Sequence, residues 1–152
     1  MPRAVIHALE LAHEDLTTWC GELTAEELRA TPFGLPSVAF QLRHIAGSLD
    51  RLLTYAEGAQ LTAAQLDTLK AEPAADVSRA QLFDGLASAL AESITRVREL
   101  DANPAFLEQP CTVGRNHLPS TVGGLLVHVA DHTQRHVGQA ITTAKLIRGL
   151  RK

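Results

Sequence analysis

Apolar residues recur in steps of three and four over four long stretches of the chain. Each stretch predicts a helix buried along one face. The first runs from Pro2 to about Cys20, with Ile6, Leu9, His13, Leu16, Cys20 and Leu23 at seam spacing. The second covers about Ser37 to Glu57 and places Val38, Leu42, Ile45, Leu49, Leu52, Leu53 and Ala56 on its apolar face. Beside that face lies a polar stripe of Gln41, His44, Ser48 and Arg51, ending at Tyr55, so His44 falls at the margin of the core face. The third, from about Ser78 to Asp101, buries Leu82, Leu86, Leu90, Ile94, Val97 and Leu100 and contains no histidine. The fourth is one long helix from Val122 to Leu150. Its seam reads Val122, Leu125, Val129, His132, His136, Gln139, Thr143, Leu146 and Leu150, apolar at both ends and polar in the middle. A buried imidazole needs a partner, because an unpaired buried polar group costs roughly 1–3 kcal/mol.

Punctuation between the stretches agrees with this reading. Pro2 suits a first helical turn, and Ser37 is a plausible N-cap for the second helix, which Gly58 stops. Thr24 with Glu27, and Thr62 with Gln65, are capping-box pairs that open two short helices. Ser78 with Gln81 caps the third long helix in the same way. Pro32, Gly34 and Pro36 break the chain before the second long helix. Residues 102–119 form the one long irregular stretch; it either covers a site at the bundle mouth or merely joins two distant helix ends. Arg115, Asn116 and His117 stand near its end. Valines and isoleucines nowhere alternate over a strand length, so no β-strand is expected. The fold expected is all-α: residues 1–152 as a single domain, a four-helix bundle with short extra helices in the connections. A faint echo relates the sequence from Leu35 to that from Leu118 and pairs His44 with His128.

Composition narrows the function classes. The 152 residues are 45% hydrophobic and 20% charged, ordinary for a globular domain with a sizeable core. Fourteen basic residues against 17 acidic give a net charge of −3 with no basic cluster, so no nucleic-acid partner is expected. No apolar run approaches the roughly 20 residues of a membrane span, and the charged N-terminal helix is neither signal peptide nor anchor. Cys20 and Cys111 are far apart and lack zinc-ribbon neighbours, which fits a reduced, cytoplasmic setting.

Seven histidines carry the candidate chemistry. Glu10 and His13 make one Glu-x-x-His pair, an element that di-iron bundles use twice; no second copy exists, and His13 reads better as a core-edge histidine. His128, His132 and His136 recur every fourth residue. Two histidines four apart reach one point from a single helix and can bind one metal ion. His44 is the candidate third ligand among long helices other than the first and fourth. Three histidines around an ion leave at least one position for water or substrate, as catalytic sites do. His128 and Gln139 are candidates for supporting roles beside the ligands, His128 as a donor or acid–base group and Gln139 in orienting a ligand ring. Solvation and a plain helix–helix hydrogen bond are their respective alternatives.

The segment His44-Ile-Ala-Gly-Ser-Leu-Asp-Arg-Leu-Leu-Thr-Tyr, followed by His132-Thr-Gln-Arg-His136-Val-Gly-Gln139, resembles the DinB-like superfamily of metal-binding four-helix bundles over nearly the whole chain. The resemblance implies a bundle with an atypical helix order and one divalent ion, zinc or nickel, with His44, His132 and His136 as its ligands. Relatives include transferases and isomerases that depend on low-molecular-weight thiols. The resemblance also leans toward a homodimer. Val137 stands where many relatives have arginine, which puts a charge-based substrate contact there in doubt.

The function expected is a metal-dependent enzyme that transfers a low-molecular-weight thiol to a small electrophile. Coordination lowers a thiol's pKa and yields a nucleophile at neutral pH. The alternatives are a metal-dependent hydrolase and a non-catalytic helical protein whose metal is structural or sensory. A fourth protein ligand, such as His128 or His13, would favour a structural role. A metal-free dimerisation module with hydrogen-bonded histidines is a further reading.

Overall fold

A computed structural model describes residues 2–73, 76–101, 104–114 and 116–151. The four long helices are α1 (Pro2–Cys20), α3 (Val38–Ala56), α5 (Arg79–Asp101) and α6 (Val122–Gly149), with shorter α2 (Ala25–Arg29) and α4 (Ala63–Ala71) in the connections. Their starts follow local chemistry. Thr24 and Glu27, and Thr62 and Gln65, close reciprocal capping boxes. Ser78 Oγ accepts from the Gln81 N–H while the Ser78 N–H donates to Gln81 Oε1. Ser37 Oγ accepts from the Phe40 N–H and Thr121 Oγ1 from the Gly124 N–H, each satisfying an otherwise unpaired donor of a first helical turn.

Helix α6 packs against α1 and α3, and α5 packs against the same two. Of the three pairs of long helices consecutive in sequence, α3 and α5 are therefore neighbours, while α1/α3 and α5/α6 lie across the bundle. That is the atypical order the family resemblance implies. It needs long connections, which residues 21–37 and 102–121 supply. The core is aliphatic, with Leu9, Leu16, Ile45, Leu49, Leu53, Leu125 and Leu126 at 2% exposure or less. Burial of each such side chain contributes roughly 1.5–3 kcal/mol.

Two predicted seams are buried only in part. On α1 the buried row is Val5, Leu9, Ala12, Leu16 and Cys20, and His13 is exposed rather than at the core edge. Both Ala12 and His13 satisfy the three-or-four spacing between Leu9 and Leu16, and the apolar methyl goes inside. On α6 the buried residues are Val122, Gly123, Leu125, Leu126, Val129, Thr133, Val137, Ala140, Thr143, Ala144 and Ile147. The predicted Val122, Leu125, Val129 and Thr143 are buried, whereas in the middle Thr133, Val137 and Ala140 lie inside in place of His132, His136 and Gln139, and Leu150, the C-cap residue, is 58% exposed. His132 and His136 flank the buried row, half-buried, and Gln139 is exposed.

The stretch expected to be irregular contains a β-hairpin. Strands β1 (Pro110–Val113) and β2 (Leu118–Thr121) pair antiparallel, with Pro110 opposite Thr121 and Val113 opposite Leu118. Four-residue strands that each contain a proline show no alternation to detect. Their turn uses positive φ at Gly114 (74°) and His117 (47°). Asn116 and His117 are exposed there, and Arg115 lies outside the described residues. The hairpin packs on α3, where Cys111 shares a cavity with Tyr55.

Candidate metal centre

Helices α3 and α6 run antiparallel along their contact: Gln41 reaches Gln139 and His136, and Thr143 reaches the Pro36 carbonyl. This packing brings His44 opposite His132 and His136. One nitrogen from each ring lies within 4.8 Å of the others. Ring centroids are 5.2 Å apart for His44 and His132, 4.4 Å for His44 and His136, and 4.5 Å for His132 and His136. Phe40 stacks on the outer face of His44 at 5.5 Å.

Hydrogen bonds determine which nitrogens face the cluster. His136 Nδ1 lies 2.8 Å from Gln41 Oε1, an atom that can only accept, so Nδ1 carries the proton and donates. His44 Nδ1 lies 2.9 Å from Glu72 Oε2. Burial pushes the Glu72 carboxyl up, but hydrogen bonds from His44 and Arg51 and the Arg51 charge outweigh it and hold the carboxyl below its ordinary value. Glu72 is thus ionised and accepts from His44. Both rings keep an Nε2 lone pair for a ligand. Ser48 Oγ approaches His44 Nε2 at 3.4 Å.

His132 differs from the other two. Its Nδ1 is buried and has no hydrogen-bond partner. Burial, with His136 and His44 beside it, pushes the ring down to about 4. Burial and the neighbouring His44 also lower His136, outweighing the Gln139 amide. Neutral imidazole is the form that binds metal. Three rings that each bring a nitrogen to a common point, one of them holding an orphaned buried nitrogen, fit a divalent ion. Among the described residues the group has three members and no fourth protein ligand.

The other histidines named from the sequence fall outside this group. His128 is exposed, its ring edge-on to His132 at 5.6 Å. His13 and Glu10 line a separate cavity between α1 and α5, with no other histidine among its lining residues. Gln139, expected to orient a ligand ring, accepts from Gln41 Nε2 at 3.1 Å and so fixes the amide that holds His136.

A cavity of about 450 Å³ begins at Gln41, lined also by Leu35, Pro36, Arg135, Gln139 and Thr142. It lies on the Gln139 side of the three histidines, none of which lines it. Its walls are the segment before α3 and one side of α6, and none of the described residues of 102–119 lines it. Val137 is 2% exposed and faces the core, so position 137 offers no contact to this cavity. Arg135 is the cation at its wall, paired with Asp131 at 2.6 Å.

Sequence reasoning missed Glu72. It caps the C-terminal end of α4, a helix too short to show a period, and only the return of α4 across α3 brings it to His44. Gly47 was the available signal: a glycine in mid-helix implies a close approach.

The DinB superfamily model matches residues 8–140. Among solved structures, the crystal structure of a conserved protein from Enterococcus faecalis shares the fold, with a TM-score of 0.79, 20% identity and 98% of each chain covered. No relative was found among the curated proteins.

Proposed function

The chain belongs to the DinB superfamily, and from that premise we propose that it is a metal-dependent enzyme acting on a small molecule. The carrying observation is the triad itself: nitrogens of His44, His132 and His136 within 4.8 Å, with no fourth protein ligand among the described residues. Zinc or nickel suits three imidazoles, and three protein ligands leave a position open. The reaction we favour is transfer of a low-molecular-weight thiol to an electrophile, in line with the thiol-dependent members the family includes. An ion at this site supplies Lewis acidity that lowers the pKa of a ligating thiol. In the transfer, the sulfur loses its proton to solvent, bonds to the electrophilic carbon, and the leaving group departs with its electron pair.

The chain's own residues orient and receive. Gln41 and Glu72 hold His136 and His44 with Nε2 inward. Leu35 and Pro36 offer the cavity an apolar wall, while Gln139 and Arg135 offer it polar groups for fixing a substrate's orientation.

Elemental analysis and zinc or nickel titration test the site. One ion per chain is expected, with tight binding lost in His132→Ala and in His136→Ala. Unchanged stoichiometry in both variants removes the site. A screen of small thiols against a generic electrophile tests the reaction; no thiol consumption by the metal-loaded protein removes the transferase reading.

A further inference from the structure

We infer that Glu72 is a positioning residue of the metal centre, holding His44 as its Nδ1–H tautomer so that Nε2 faces His132 and His136. This rests on the proposed metal site, but its geometry stands independently. Glu72 is 4% exposed although it follows a short surface helix. Its two carboxylate oxygens are divided between two tasks. Oε2 takes His44 Nδ1 at 2.9 Å, and Oε1 takes Arg51 Nη1 at 2.7 Å. Arg51 is itself buried and also donates to Ser48 Oγ, the hydroxyl near His44 Nε2.

The helix beneath is shaped for this carboxylate. At Gly47 an added Cβ would stand 2.5 Å from Glu72 Oε1 and 2.7 Å from Arg51 Nη1. Any side chain there pushes against the ion pair itself. Glycine costs roughly 0.5–1 kcal/mol relative to alanine inside a helix, so its presence one turn after His44 is explained by the space it leaves for Glu72.

A buried carboxylate bound to a buried arginine could serve stability alone. The direction of the His44 bond argues for more. An ionised carboxylate accepts from one ring nitrogen, fixes which nitrogen keeps the lone pair, and raises the basicity of that lone pair. His136 has only a neutral amide for this purpose, and His132 Nδ1 has no partner. The centre is therefore graded, with His44 the most strongly held donor and the arm ending at Glu72 the part that holds it.

Nitrogen-15 NMR of the metal-free full chain, above the histidine titration range, reads the tautomer directly. His44 is expected as Nδ1–H in the unaltered protein, with that preference weakened in Glu72→Gln, whose amide can also donate. Zinc affinity should fall about 10–100-fold in Glu72→Gln, and Gly47→Ala should move affinity in the same direction. An Nε2–H tautomer at His44 in the unaltered protein overturns the inference and needs no variant to fold. So does a folded Glu72→Gln with unchanged tautomer and zinc affinity, the outcome of a purely structural ion pair. If the unaltered protein binds no metal at all, the proposed function fails, while the tautomer measurement still decides the role of Glu72.

Discussion

His136 owes its usable lone pair to one amide. Gln41 is 1% exposed, presents Oε1 to the ring and Nε2 to Gln139, and so is held in one orientation by both neighbours. Gln41→Leu keeps the volume roughly but leaves the His136 Nδ1–H without an acceptor, and with it the reason for the ring to hold its angle. Loss of such a supporting hydrogen bond typically costs 10–100-fold in metal affinity. A zinc titration of Gln41→Leu should therefore show at least about a tenfold weaker site, and equal affinity would mean the amide only fills space. At this scale the histidines were legible from their spacing. Gln41 was visible only as part of a polar stripe beside the core face, because nothing local says that a glutamine will turn inward.

Helix α6 shows how far a periodic pattern can be followed. Its predicted seam is buried at Val122, Leu125, Val129 and Thr143, but in its middle Thr133, Val137 and Ala140 lie inside in place of His132, His136 and Gln139, because the less polar side chain one residue on costs less to bury. The difference has consequences for stability. Val137 is 2% exposed, and Leu150 is 58% exposed. Val137→Ala removes two buried methyl groups' worth of contact and should cost about 2 kcal/mol. Leu150→Ala should stay within about 0.5 kcal/mol. Urea denaturation of the two variants checks the ordering, and the reverse ordering would restore the predicted seam. The same local choice leaves His132 and His136 half-buried at the rim of the core, where they meet His44 of α3. A hairpin with four-residue, proline-bearing strands lay below what a period can reveal.

For the whole molecule, the histidine cluster makes stability depend on pH. His132 sits at about 4 in the folded chain against an ordinary value of 6.5. A lowered folded value means the unfolded chain binds the proton more readily, so this contribution is complete above pH 6.5 and is lost as pH falls toward about 4. The metal-free protein should lose stability over that window. His132→Gln, which has nothing to protonate, should flatten the loss, as thermal melts at a series of pH values would show. An equal slope in both proteins would place the acid sensitivity elsewhere, with Glu72 the next carboxylate to test. No helix among the described residues is long and apolar enough to cross a membrane.

Period and punctuation in the sequence sufficed for the four long helices, the caps of the second and third, and the His132–His136 pair, because helix spacing and capping are local; His44 joined that pair as a candidate from its helix and as a ligand from the family resemblance. Tertiary structure alone decided which residues in the middle of α6 are buried, the hairpin, the place of the cavity beside Gln139, and the arrival of Glu72 at His44. Each of these depends on where a connection returns the chain, and burial there is set by neighbours distant in sequence. The helix that seemed to bury two histidines instead sets them at its rim, and the carboxylate that holds their partner comes from a short helix with no pattern to announce it.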